Sequence, residues 1–153
     1  QGSVAGEPMR AEDEVLVVGC GNSNLTQELA ESGFRHVTSM DFSSTVIEQQ
    51  RSKFPDLRWI EADVRRMDVF ETGSFDVVID KGTFDALTTW KKGVEHREMF
   101  AEVSRVLRPG GRYVLISLYG ELGNGFYLQN ASYAWDVDMG AVKKPHSSKI
   151  SAD

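Results

Sequence analysis

Four apolar β-formers stand in a row after a polar start: Val15, Leu16, Val17 and Val18. An uninterrupted run of that length predicts a strand over about 14–18, buried on both faces as in a parallel sheet. Gly19-Cys20-Gly21 follows at once, and Asn22-Ser23-Asn24 opens a helical pattern. Leu25, Leu29 and Ala30 then fall on one face of a helix over roughly 23–32, which Gly33 stops. A second strand spans 36–40 and ends at Asp41. Ser43 or Ser44 caps a second helix that carries Val46 and Ile47 and ends before Pro55. A third strand covers 57–61, ahead of Ala62-Asp63-Val64. A fourth buried strand covers 75–79 and is ended by Asp80-Lys81-Gly82-Thr83. Thr83 is placed to cap a short helix through Trp90. A longer helix over about 94–107 turns Phe100, Val103 and Leu107 to the core. Arg108-Pro109-Gly110-Gly111 predicts a sharp turn before a fifth strand over 113–118.

This alternation of strands and helices predicts an α/β fold. It is a doubly wound, mainly parallel Rossmann-like sheet with helices on both faces and right-handed crossovers. Ligands of such sheets bind outside the carboxyl ends of the strands. Gly19, Asp41, Asp63 and Asp80 each fall just after a predicted strand, so four separate placements converge on one rim. The expected organisation is a flexible lead-in over 1–13, one domain over 14–140 and a polar tail over 141–153. Only one candidate strand, 132–137, follows Leu118, so the sheet is expected to lack a complete C-terminal strand hairpin.

Composition narrows the classes of function. The 153 residues match one domain, and 41% hydrophobic residues suffice for a core. A formal charge of −6 argues against a general grip on nucleic acid or anionic membrane, and leans towards a basic partner. The single cysteine, Cys20, excludes an internal disulfide and fits a reducing compartment, so a cytoplasmic location is expected; the expected oligomeric state is a monomer. No signal peptide and no bilayer-length apolar run is visible. The first residue is Gln rather than Met, so a longer parent protein is expected.

The rim reads as a nucleotide-type site. Glycines let backbone N–H groups approach a ligand closely. Asp41 follows Gly19 by about twenty residues, where such sheets place a carboxylate for ribose hydroxyls. A dinucleotide site would prefer a third glycine, and Asn24 stands there instead. No phosphate-loop pattern is present. A ligand without phosphate would not need that third close approach, and S-adenosylmethionine is such a ligand. The amides of Gly19, Cys20 and Gly21 would face its amino-acid carboxylate and ribose. Asp41 would accept from both ribose hydroxyls. Phe42 would pack on the adenine face, Asp63 would accept from the adenine amino group, and the Val64 backbone would lie beside the ring. Asn22, Asn24, Ser43, Asp80, Lys81 and Gly82 complete the candidate cofactor contacts.

The same stretches carry a family resemblance. Val15 to Ser23, Asp41, Asp63-Val64, the 75–80 strand and Arg108-Pro109-Gly110-Gly111-Arg112 resemble the successive motifs of class I S-adenosylmethionine-dependent methyltransferases. More narrowly, Gly19-Cys20-Gly21-Asn22-Ser23, the stretch Asp80-Lys81-Gly82-Thr83-Phe84-Asp85-Ala86-Leu87 and Val103-Ser104-Arg105-Val106-Leu107 resemble the methyltransferase-like branch. Tyr133-Ala134-Trp135 resembles it too. That branch includes lysine methyltransferases acting on translation elongation factor 1 alpha. The resemblance therefore implies a protein-lysine N-methyltransferase with S-adenosylmethionine as cofactor and elongation factor 1 alpha as protein partner. It also implies a closing antiparallel hairpin.

For the chemistry, Asp80 is the candidate catalytic residue: a carboxylate at the end of the fourth strand can orient an acceptor amine and stabilise its developing charge. Its structural alternative is to cap the following helix. Asp85 reads as a solvated helix charge, and Lys81 as a solvated loop lysine. Trp90 and Trp135 either line a substrate channel or simply pack, while Trp59 reads as core. Cys20 reads as packing without reactivity. Glu95, Arg97, Glu98 and Glu102 alternate in sign as on an exposed helix. His36, His96 and His146 lack metal-ligand spacing, so no metal is expected. Competing readings are a cofactor-binding but inactive interaction module, a small-molecule methyltransferase and, with the missing glycine against it, a nicotinamide dehydrogenase. The Asn-Pro-Pro-Tyr type motif of enzymes that methylate base amino groups is absent after the fourth strand, which disfavours adenine or glutamine amide as acceptor.

Overall fold

A computed structural model of the protein describes residues 7–90, 95–118 and Leu128, with side chains at 89, 90 and 95 left aside. In chain order the elements are β1 (Glu14–Val18), α1 (Leu25–Glu31), β2 (His36–Asp41), α2 (Ser44–Lys53), β3 (Arg58–Glu61), β4 (Phe75–Lys81), α3 (Thr83–Trp90), α4 (Glu95–Val106) and β5 (Leu107–Ile116). The strands form one sheet in the order β3-β2-β1-β4-β5, and every neighbouring pair is parallel. The order reverses at β1, so β1 and β4 flank a topological switch point.

The apolar run of β1 explains its central place. Val15 and Val17 face one way, into a cluster with Val37, Ile47, Trp59, Val77 and Ile79. Leu16 and Val18 face the other way, among Met40, Val78, Phe84, Phe100 and Val103. None of the four β1 side chains is more than 2% exposed, and each such burial stabilises by about 1.5–3 kcal/mol. Leu25 and Leu29 of α1 and Val46 of α2 pack on the first cluster, whereas α3 and α4 supply the second. The expected doubly wound arrangement is therefore present.

Several element ends differ from the expectation. Helix α1 begins at Leu25 because the Ser23 hydroxyl accepts the Leu25 N–H at 3.2 Å, while the Asn24 side chain makes no capping bond. Thr83 is not the cap of α3 but its first residue; the Asp80 carboxylate takes the Thr83 and Phe84 N–H groups at 2.7 and 3.0 Å. Ser43 does cap α2, accepting from the Val46 N–H at 3.3 Å.

The turn at Arg108-Pro109-Gly110-Gly111 lies inside β5 rather than before it. Phe75 pairs with Leu107 and Val77 with Arg112, so the four residues bulge out between two ladder positions. Gly111 is needed there: a Cβ would meet the Arg108 carbonyl oxygen at 2.9 Å and the Asp76 carbonyl oxygen at 3.1 Å. Beyond the bulge, Tyr113 and Leu115 pack into the core, while Val114 and Ile116 are exposed on the opposite face.

The connection between β3 and β4 is tied to α4. Glu102 accepts the Met67 N–H, and Arg105 donates to the Met67 and Phe70 carbonyls. Glu102 is thus turned inward rather than forming part of an exposed charged stripe. The candidate strand at 132–137, the tail at 141–153, the start of the lead-in and the side chains of Trp90 and Trp135 lie outside the described residues.

Candidate functional site

The loop after β1 sits at the carboxyl end of the sheet, between the ends of β2 and β4. Gly19 and Gly21 take left-handed φ angles of 59° and 52°. These values favour glycine, because a Cβ would crowd the backbone there. The Cys20 N–H donates to the Met40 carbonyl at 2.9 Å, extending the β1–β2 pairing by one step. The Gly21 N–H then donates to Asp41 Oδ2 at 2.9 Å, and the Ser43 N–H to Asp41 Oδ1 at 3.0 Å. Among the described residues each Asp41 oxygen carries one protein donor, and an ionised carboxylate can accept about four. Capacity for a second pair of donors, such as a vicinal diol, remains on this carboxylate.

Two further side chains fix the loop. Gln50 of α2 donates from Nε2 to the Gly21 carbonyl at 2.9 Å and to the Ser23 carbonyl at 3.1 Å. Thr83 donates from Oγ1 to the Val18 carbonyl at 3.0 Å. The Thr83 hydroxyl occupies the very space a Cβ on Gly19 would need, at 2.0 Å. The sequence reading missed Gln50, although it lies three residues after Ile47 and therefore on the buried face of α2. Asn22 and Asn24 are exposed on the loop, and Asn24 accepts from Lys53 Nζ at 2.9 Å.

Beyond Asp41, Phe42 presents its ring to solvent with 78% exposure. Asp63 stands after β3, where Arg65 forms a fork on it at 2.6 to 3.1 Å. Hydrogen bonds from that guanidinium hold the Asp63 carboxyl below the usual carboxylate range. Val64 buries its side chain in the core. Cys20 is buried, and burial together with the nearby Asp41 charge pushes its thiol up to about 12. It is a protonated packing group.

The end of β4 is more enclosed. Asp80 is 0% exposed and accepts from the Thr83 and Phe84 N–H groups and, at 2.8 Å, from the Tyr113 hydroxyl. Burial pushes its pKa up to about 6, against the pull of those donors. Burial and the Asp80 charge in turn raise the Tyr113 phenol well above its ordinary value. Of the two roles weighed for Asp80, the hydrogen bonds of the helix cap are the ones formed. Asp85 is not a solvated charge: it accepts from the Ser117 hydroxyl at 2.5 Å and the Leu118 N–H at 2.9 Å, tying α3 to the end of β5. Lys81 is exposed, and Gly82 has φ of 91°.

The donor set fits a flat heterocycle on a ribose-like diol with an anionic end. Among the described residues nothing lies within 4 Å of a Cβ built on Gly21 or on Gly82. Asp41 has acceptor capacity, Phe42 offers an aromatic face, and the loop offers amides. By contrast, the groove lined by Thr45, Glu48, Gln49, Ser52 and Lys53 runs along the solvent face of α2, without an aromatic wall. Among the described residues no group of three or more His, Cys, Asp or Glu side chains converges as a metal site. No described helix is long and apolar enough to cross a membrane.

Comparison with known proteins agrees with this chemistry. The chain is 44% identical over 117 residues to the eEF1A lysine and N-terminal methyltransferase of Danio rerio, covering 74% of this chain and 17% of that protein. It is 40% identical over 138 residues to the EEF1A lysine methyltransferase 4 of Mus musculus, covering 82% and 54%. The chain thus spans about half the length of the second relative and far less of the first. Among solved structures, a SAM-dependent methyltransferase of Methanosarcina mazei superposes with a TM-score of 0.63 at 23% identity, covering 79% of this chain and 59% of that one, a likeness of fold alone. A SAM-bound amino pentose methyltransferase of Micromonospora echinaspora superposes with a TM-score of 0.59 at 28% identity, covering 71% and 44%. The family description "Methyltransferase domain" matches residues 16–115, and the chain belongs to that family.

Proposed function

We propose that the chain is the cofactor-binding core of an S-adenosylmethionine-dependent protein-lysine N-methyltransferase whose substrate is translation elongation factor 1 alpha. One observation carries the reading. The Asp80-Lys81-Gly82-Thr83 turn is locked into the glycine loop through Thr83 at the switch point, so the donor loop and the turn that borders the acceptor side form one rigid edge. The names of the Danio rerio and Mus musculus relatives support lysine of elongation factor 1 alpha as the acceptor.

The geometry supports the following roles. Gly19, Cys20, Gly21, Asn22 and Asn24 form the loop that faces the amino-acid and ribose end. Asp41 binds the ribose diol with its remaining lone pairs, and Ser43 keeps that carboxylate oriented. Phe42 covers the adenine, beside Asp63 and the Val64 backbone. When bound, the cofactor supplies an electrophilic methyl group, and the protein supplies alignment. Asp80 acts as a positioning residue: it sets the Lys81-Gly82 backbone by capping α3, and its buried charge lies behind the acceptor side. That no described residue lies within 4 Å of a Cβ placed on Gly82 supports the approach of a lysine side chain there.

The test is incubation of the chain with methyl-labelled S-adenosylmethionine and elongation factor 1 alpha, followed by peptide mass spectrometry. Label on a lysine of the factor is expected. Cofactor binding with no lysine product on the factor would overturn the substrate assignment.

A further inference from the structure

Three side chains from three elements hold the glycine loop: Asp41 from β2, Thr83 from α3 and Gln50 from α2. Gln50 is the least expected of them. It is 3% exposed and shares the buried face of α2 with Ile47. A carboxamide in a core position is unfavourable unless its hydrogens are used. Here both are, on the Gly21 and Ser23 carbonyls. Two carbonyl partners also fix which end of the amide is the nitrogen. A methionine or leucine would fill the same volume without any need for partners, so packing does not explain the amide.

What the amide does is orient peptides. The chain has no cis peptide bond among its described residues. In a planar trans peptide the N–H points opposite to the C=O. With the Gly21 and Ser23 carbonyls drawn towards α2, the following N–H groups, of Asn22 and Asn24, are turned away from it. One side chain thus sets two alternate amide donors of the loop.

We propose that Gln50 is a positioning residue for the amino-acid end of S-adenosylmethionine. It holds the Asn22 and Asn24 amides as fixed donors for the carboxylate of that end, while Asp41 and Phe42 hold the adenosine half without its help. This rests on the cofactor reading above.

Calorimetry separates the possibilities. The ligands are S-adenosylhomocysteine and 5′-methylthioadenosine, which keeps the adenosine but lacks the amino-acid carboxylate. The proteins are the unaltered chain, Gln50→Met and Gln50→Glu. For Gln50→Met, S-adenosylhomocysteine is expected to bind roughly ten- to a hundredfold more weakly, with methylthioadenosine changed by less than about twofold. In Gln50→Glu an ionised carboxylate faces two carbonyls and repels them. Its affinity for S-adenosylhomocysteine should recover on lowering the pH towards about 5.5, as the side chain takes up a proton and can donate again. The unaltered chain should show no such recovery. This second variant also decides the matter if Gln50→Met fails to fold.

Equal losses for both ligands would reduce Gln50 to a support of the fold and overturn the proposal. So would unchanged binding of S-adenosylhomocysteine, or a Gln50→Glu affinity that ignores pH. An unaltered chain that binds S-adenosylhomocysteine but not methylthioadenosine would overturn the division into two halves. An unaltered, folded chain that binds neither would instead overturn the cofactor reading itself.

Discussion

The Thr83 hydroxyl oxygen stands 2.0 Å from where a Cβ on Gly19 would be, and it donates to the Val18 carbonyl at 3.0 Å. Gly19 is therefore required twice: by its left-handed φ of 59°, and by the first turn of α3 packed against it. The two turns that border the switch point cannot move independently. Cofactor loop and acceptor-side turn are linked through one hydroxyl and the absence of one methyl group.

Replacing that hydrogen by a methyl should be costly. Gly19→Ala is expected to destabilise by about 2–4 kcal/mol, combining left-handed strain with overpacking. Thr83→Ala removes Oγ1 and Cγ2 and leaves only the Cβ of residue 83 at 2.9 Å, so in the double variant part of the steric cost should return. A double-mutant cycle by urea denaturation should give a coupling of at least about 1 kcal/mol. Simple additivity of the two losses would contradict the interlock.

Asp80 makes stability depend on pH in an unusual direction. Its folded pKa of about 6 lies above the ordinary value of 3.8. Between these values the native state keeps a proton that the unfolded state has lost, so unfolding free energy falls as pH rises from about 4 to about 6. The full effect is roughly 3 kcal/mol. Asp13, Asp63 and Glu102 have lowered values and act the opposite way, their contribution fading as pH falls below about 4. The difference between the unaltered chain and Asp80→Asn isolates the first effect. It should decline with rising pH across that window and then level off. A difference that is flat from pH 4 to pH 7 would refute the buried-carboxylate account.

The Glu102–Arg105 pair should act locally. Arg105 donates to Glu102 at 2.7 Å and reaches the Phe70 and Met67 carbonyls at 2.9 and 3.0 Å. Lysine cannot reproduce that fork. In Arg105→Lys, hydrogen exchange is expected to quicken over 67–73, with S-adenosylhomocysteine affinity changed less than about threefold. Quickened exchange over the 19–24 loop as well would show that the clamp reaches the site.

Legibility in the sequence followed how local each cause was. Val15 to Val18 announce a buried strand by themselves, and Gly19, Asp41, Asp63 and Asp80 mark the rim because each falls at or within two residues of a strand end. The Ser43 cap is equally local. What escaped depends on partners far along the chain. Asp80 outcompetes Thr83 for the α3 cap because β4 runs on to Lys81 and brings the carboxylate under two free N–H groups. The bulge at Arg108-Pro109-Gly110-Gly111 exists only against β4. Asp85 finds Ser117, and Glu102 finds Met67, across about thirty residues, a distance no local pattern encodes. Gln50 was visible in principle as a polar residue on an apolar helix face.

The most direct test of the account is calorimetric titration of S-adenosylhomocysteine into this chain, beside Asp41→Ala. Asp41 contributes charge-assisted hydrogen bonds worth about 1.5–3 kcal/mol each. One-site micromolar binding to the unaltered chain, lost by tenfold or more in Asp41→Ala, is the predicted result. A folded chain that gives no heat of binding, or an Asp41→Ala variant that binds as well as the unaltered chain, would contradict it.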